Sequence, residues 1–205
     1  MLGVVGACSG GPAGTSGSPA TTAPIGSSIP AARTAPATGS PSVSSTPVST
    51  PGPTPTPSPA PPLAVTSSAF ANGGAIAARY TCSGADVSPP LAWSHVPNGT
   101  VAFALVVVDT DASDFVHWVV SDIPGDLSAL AAGQRAGVAG RNSFGGVGYG
   151  GPCPPVGSGA HHYVFTLYAL SHRLGLGGVP TATQVRTAAA KVTLATAHLT
   201  GTFRR

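Results

Sequence analysis

Five side chains in the second half of this 205-residue sequence have the chemistry to hold or act on a ligand: Asp109, Asp111, His117, His161 and His162. Each falls where an apolar run meets a loop. Carboxylates and imidazoles gathered at such junctions can bind a metal, run acid–base chemistry, or receive an anion through charge-assisted hydrogen bonds. Spacings typical of metal sites, such as H-x-x-x-H or C-x-x-C, are absent, and Cys153 is hemmed in by prolines, so a metal is disfavoured. A nucleophile elbow G-x-S-x-G is also absent: Gly157-Ser158-Gly159 reads only as loop, which gives a serine hydrolase no local support. Each histidine also has a plainer role open to it, as a hydrogen-bonded structural residue.

The elements that must position these groups follow from pattern. Gly140 to Leu170 is the organising stretch. Its first two-thirds is glycine and proline punctuated by Phe144, Val147 and Tyr149, which holds neither a helix nor a ladder. It then switches to a β-branched and aromatic run from His162 to Leu170, which reads as a buried strand. Upstream, Leu63 to Phe70 and Ala75 to Tyr80 read as strands joined by a turn at Asn72-Gly73-Gly74. A loop then leads to a strand ending in Trp93. After a turn at Pro97-Asn98-Gly99-Thr100, the apolar run Val101 to Val108 fits a strand buried on both faces. His117 opens another apolar strand that ends at Pro124. Thr181 to about Val192, alanine-rich after Pro180, predicts a helix, and Ala195 to Phe203 a closing strand. Many short strands separated by turn signals imply a mainly β fold, a sandwich or a barrel, with one peripheral helix near the end.

The chain divides by composition. Residues 9–62 hold 14 of the 22 prolines and a single charge, Arg33. With nothing to bury they are expected to form a disordered Pro/Ser/Thr-rich linker, whereas residues 63–205 have the size of one domain with one core. All six acidic residues are Asp, and the formal net charge is only +3. No basic stripe with interleaved aromatics is present, which disfavours nucleic acid, and no apolar run reaches the length of a transmembrane helix.

Residues 1–8 end in Val5-Gly6-Ala7-Cys8, which resembles the lipobox of a bacterial lipoprotein signal, although only seven residues precede the cysteine and none is basic. The segment is therefore read as the truncated end of such a signal. In that resemblance Cys8 carries the lipid, the linker is a tether, and the domain is extracytoplasmic, anchored to the bacterial cell membrane or secreted. Cys82 and Cys153 are left over. Outside the cytosol they are expected to form a disulfide closing a loop of about 70 residues, worth on the order of 3–4 kcal/mol, the alternative being two free thiols.

Five blocks of the domain resemble the phosphatidylethanolamine-binding proteins, specifically their bacterial Raf-kinase-inhibitor-like branch. Tyr80-Thr81-Cys82-Ser83-Gly84 with Ser88-Pro89-Pro90-Leu91-Ala92-Trp93 is similar to the family's Y-T-C-x-G…S-P-P-L-x-W. Asp109-Thr110-Asp111-Ala112-Ser113 stands where the family has D-P-D-A-P, and Phe115 to Val119 resembles its H-W strand. Gly140 to Leu170 resembles its glycine-rich loop and H-x-Y strand, and Leu199 to Phe203 its last strand. The resemblance implies an antiparallel β-sandwich with a small anion pocket lined by Asp109, His117, His161 and Tyr163. Backbone amides of Gly150, Gly151 and the Pro152–Pro155 loop would complete it, with Asp109 fixing an imidazole tautomer or accepting from an ammonium. Thr110 and Ser113 depart from the family's prolines and make that wall softer or wider. By strand alternation His162 points away from the pocket.

The expected function is therefore non-catalytic binding of a phosphate- or carboxylate-bearing ligand or phospholipid headgroup, without cofactor or metal. Modulation of a partner enzyme, a kinase or peptidase, is what the family implies. Two alternatives stand beside it: an enzyme using His117, His161 and Asp109 for acid–base chemistry on a phosphoester, and a cell-envelope interaction domain with a vestigial pocket.

Overall fold

The computed structural model describes residues 60–205; the signal end with Cys8 and nearly all of the linker lie outside the described residues. Among the described residues eight strands form two open antiparallel sheets. The smaller has the order β1 (Ala64–Thr66), β2 (Leu91–Ser94), β5 (Ala129–Leu130). The larger has the order β6 (Val138–Ala139), β4 (Phe115–Pro124), β3 (Ala102–Asp109), β7 (His161–Leu170), β8 (Thr193–Phe203). The arrangement is a sandwich rather than a closed barrel.

Strand β3 explains why. All eight of its residues are buried. Phe103, Leu105 and Val107 face the smaller sheet, in one core with Val65, Leu91, Trp93, Leu130 and the β7 residues Phe165 and Leu167. Trp93 packs on Phe103 at 5.1 Å between ring centroids and donates its indole N–H to the Leu127 carbonyl. The alternate residues Ala104, Val106 and Val108 face the opposite way, against Val119, Leu170 and the helix α1 (Ala182–Ala189), which covers them with Val185 and Ala189. A central strand covered on both sides needs the continuous apolar run that this sequence supplies.

Helix α1 is shorter than the expected span of Thr181 to Val192. Thr181 is its N-cap, forming a reciprocal capping box with Gln184, and the chain turns after Ala189 to enter β8. The second predicted strand, Ala75 to Tyr80, is not one. Only Ala75 makes a bridge, to Thr202, and Ala78–Tyr80 form a 3-10 turn. Alanines without branched side chains gave that segment little β preference. Val101 is half exposed and stands outside β3.

Candidate functional site

The register of the large sheet brings the polar residues to one end. Asp109, the last residue of β3, lies directly opposite Tyr163 on β7, and His161 is two residues from Tyr163, so all three point to the same face. His117 reaches that face through an irregularity. Val107 pairs with Trp118 but Val108 with Val116, so His117 is an extra residue between two ladder pairs. Such a bulge re-aims a side chain, and here the His117 ring meets Tyr163 edge-on at 5.1 Å.

The glycine-rich loop closes over this end, held by side chains in place of a ladder. Asn142 donates its side-chain amide to the Gly148 carbonyl and accepts from the Gly146 N–H. The Tyr149 hydroxyl donates to the Tyr80 carbonyl at 2.6 Å. His117 and Gly150 are joined twice, through Nδ1 to the Gly150 carbonyl at 2.7 Å and from the Gly150 N–H to the His117 carbonyl at 2.9 Å. The Gly151 N–H donates to Asp86 Oδ1 at 2.7 Å. Cys82 and Cys153 are bridged, with their Cα atoms 5.4 Å apart, and the Cys82 N–H donates to the Pro152 carbonyl. Both glycines are required by close approach: a Cβ on Gly150 would lie 2.7 Å from the Phe144 ring, and one on Gly151 2.4 Å from Asp86 Oδ1.

These bonds occupy two of the expected donors. The Gly150 and Gly151 amides, assigned to an anion by the resemblance, are engaged inside the protein, and Pro152, Pro154 and Pro155 have no N–H to give.

Asp109, His117, His161 and Tyr163 are all buried. Asp109 Oδ1 accepts from the Asp111 N–H, and Oδ2 lies 2.8 Å from His161 Nδ1. His161 Nε2 lies 3.0 Å from the Ser158 hydroxyl. Burial pushes the His117 pKa below its ordinary value, only partly offset by the Gly150 carbonyl and the Asp109 charge. Facing that carbonyl, Nδ1 carries the proton of the neutral ring. Burial, and then the nearby Asp109 charge, raise the Tyr163 pKa far above that of a free phenol, so its hydroxyl keeps its proton. This buried hydroxyl makes no hydrogen bond of good geometry, the polar group beside it being the Asp109 carboxylate. His162 and Asp111 stay outside. Both are exposed, and Asp111 Oδ2 accepts from the His162 N–H at 2.6 Å and meets His162 Nδ1 at 2.9 Å, which holds the Asp111 carboxyl below its usual range.

Five further residues contribute to the site. Asp86 braces Gly151 from a left-handed conformation, φ 52°. Phe115 and Phe144 wall the His117 ring, each with its centroid 5.3 Å away. Arg205 lays its side chain on the proline loop, donating from Nε to the Pro154 carbonyl at 2.8 Å. Ser158, read only as loop, is the hydroxyl on His161. Of these, Phe115, Phe144 and Ser158 lie inside segments that the sequence singles out, whereas Asp86 and Arg205 do not.

Two surface clefts lie elsewhere. One, of about 580 Å³, is lined by Thr66, Ser67, Leu91, Ala129 and Gln134; the other, of about 460 Å³, by Trp118, Val120, Arg135 and Val147, with Asp86 and Tyr149 at its wall. Among the described residues no three His, Cys, Asp or Glu side chains gather as metal ligands, and no helix is long and apolar enough to cross a membrane.

A two-layer antiparallel β-fold with a polar cluster at the end of its central strands, closed by a braced glycine–proline loop, defines the class. The chain belongs to the phosphatidylethanolamine-binding protein family, whose description it matches over residues 66–204. It is 44% identical over 146 residues to a Mycobacterium tuberculosis protein named "Putative lipoprotein LppC", covering 69% of this chain and 72% of that one. It is 42% identical over 153 residues to a UPF0098 protein of Aquifex aeolicus, covering 69% and 88%. The solved structure of Escherichia coli YbcL, described as a member of the mammalian PEBP family, superposes with a TM-score of 0.65 at 32% identity, covering 70% of this chain and 98% of that one.

Proposed function

We propose that this protein binds, without chemical turnover, a small phosphate- or carboxylate-bearing ligand or a phospholipid headgroup at the Asp109–His117–His161–Tyr163 cluster. The observation that carries the reading is the Tyr163 hydroxyl: buried, protonated, and making no hydrogen bond of good geometry although the Asp109 carboxylate stands beside it. A buried donor left unpaired costs about 1–3 kcal/mol, and an incoming oxyanion would repay it. His161 supplies a second polar group in reach, and Asp109 is placed to accept from a ligand ammonium once Ser158 and the loop make room. Binding without turnover is supported by the committed amides of Gly150 and Gly151, which are not free to act together on a developing charge.

Extracytoplasmic anchoring through Cys8 belongs to the same proposal, supported by the lipobox-like Val5-Gly6-Ala7-Cys8 and by the lipoprotein name of the mycobacterial relative. So does control of a partner enzyme, where an exported domain would meet a peptidase rather than a cytosolic kinase.

The experiment is thermal and urea denaturation of the full chain with phosphate, phosphoethanolamine and a carboxylate series. A ligand at a hundred times its dissociation constant adds about 2.7 kcal/mol. Tyr163→Phe is expected to leave the unliganded protein as stable as wild type or more so, because it deletes the orphaned hydroxyl, and to reduce the ligand shift sharply. No shift with any anion in the wild type would defeat the reading.

A further inference from the structure

One hydroxyl at the site remains without a role. Ser158 sits on an exposed turn between Gly157 and Gly159, both at positive φ (84° and 94°). Its Oγ lies 3.0 Å from His161 Nε2, and His161 Nδ1 lies 2.8 Å from Asp109 Oδ2. Hydroxyl, imidazole and buried carboxylate thus stand in series, each within hydrogen-bond reach, the arrangement in which a serine is activated by a base that an acid holds in place. We propose that Ser158 is a base-activated nucleophile and a site of covalent capture, acylated or phosphonylated by activated esters.

The proton count permits it. With Asp109 accepting the proton on Nδ1, a neutral His161 turns the lone pair of Nε2 toward Ser158. The hydroxyl has one proton and two acceptors in reach, Nε2 and the Pro155 carbonyl at 2.8 Å, and passing from one to the other needs only rotation about the Cβ–Oγ bond. In the capture step the bond from Oγ to the acyl carbon forms while the hydroxyl proton passes to Nε2. The carbon–oxygen bond to the leaving group then breaks, and the departing alkoxide takes that proton. Asp109 remains ionised throughout. The products are a Ser158 ester and a free alcohol.

Return of the free serine would need water to attack an unactivated ester. The activated ester that acylates Ser158 has a good leaving group, whereas the Ser158 ester it leaves behind does not. With no paired amide donors at Gly150 and Gly151 to help either step, the second is the slow one and capture is stoichiometric, which keeps this inference compatible with a binding protein. Reactivity at Ser158 stands on its own geometry; only the preference for esters carrying an anionic group rests on the proposed binding function.

The test treats the full chain with a fluorophosphonate probe and reads intact mass and peptide maps. Here the Oγ–phosphorus bond forms, the phosphorus–fluorine bond breaks, and fluoride leaves with the proton relayed by His161. One adduct is expected, on Ser158, forming at least about 100-fold faster than on an exposed serine without a base such as Ser83, the lower end of what a positioned base contributes. Ser158→Ala should remove the adduct, and His161→Gln and Asp109→Asn should slow it by a similar factor. Labelling of Ser158 no faster than Ser83 in the wild type would overturn the proposal, whether or not the variants fold. Phosphoethanolamine is expected to protect Ser158. Fast labelling with no anion shift and no protection would uphold the nucleophile and defeat the binding reading; an anion shift without Ser158 labelling would do the reverse.

Discussion

The two histidines of the site are both buried and stand at the same end of one sheet, yet their surroundings are opposite. His117 is enclosed by Phe115, Phe144 and Tyr163 and has a backbone carbonyl as its partner. His161 has a carboxylate on one ring nitrogen and a solvent-facing serine on the other. The first environment penalises charge and fixes a tautomer, so His117 is part of the scaffold that seats the glycine loop. The second links a buried acid to the surface through the imidazole. Burial alone does not tell a structural histidine from a reactive one; the partner at each ring nitrogen does.

The comparison breaks most visibly at the carboxylate. Asp109→Leu strips His161 of its partner and the Asp111 N–H of its acceptor, leaving both without a replacement. A loss of about 3 kcal/mol in urea unfolding is expected, because charged hydrogen bonds are the expensive ones to leave unmade. His117→Leu removes one neutral hydrogen bond and keeps an apolar side chain among aromatics, so about 1 kcal/mol is expected. Equal losses from the two variants would mean that the carboxylate is no more than another polar contact. Between them in size lies Gly150→Ala. Its Cβ would meet the Phe144 ring at 2.7 Å, and the ring, itself half exposed, can swing outward. We expect a cost of about 1–2 kcal/mol from the strain of overpacking, together with weaker seating of the loop on His117, read as faster amide exchange at Gly150.

How much of this was legible beforehand follows from which forces act locally. The apolar run of β3, the capped helix α1 and the strand of His161 are written in periodicity and capping residues, and the structure keeps them. Small residues between turn signals, as in Ala75 to Tyr80, look like a strand until no partner sequence claims them. The short strands β5 and β6 exist only through pairing with β2 and β4, and two residues carry no pattern. At the site, residue types were visible but contacts were not. Asp86 reaches Gly151 across 65 positions, and the bulge that turns His117 inward is a property of register between two strands. Ser158 lacks the glycine elbow by which a nucleophile shows in another fold. Its activation depends on Asp109, 49 positions away in sequence, joined to it through His161 by the β3–β7 ladder.

The smallest effect separates the histidines by titration. Because burial depresses the folded-state pKa of His117, the ring is neutral in both folded and unfolded chains above about pH 6.5 and adds no pH dependence there. As pH falls below that value the unfolded chain takes a proton that the folded one resists. Stability is therefore lost from about pH 6.5 downward, until the folded pKa is passed. The slope from this group cannot exceed about 1.4 kcal/mol per pH unit. Exposed Asp111 also loses a stabilising contribution on acidification, but only below its ordinary value of 3.8, outside that window. Urea midpoints from pH 8 to 5 for wild type and His117→Phe should converge as pH falls, the variant lacking the acid-sensitive ring. If instead the wild type gained on the variant on acidification, His117 would be a charged group in the fold, and its enclosure by aromatics and a carbonyl would have to be read as a cation site.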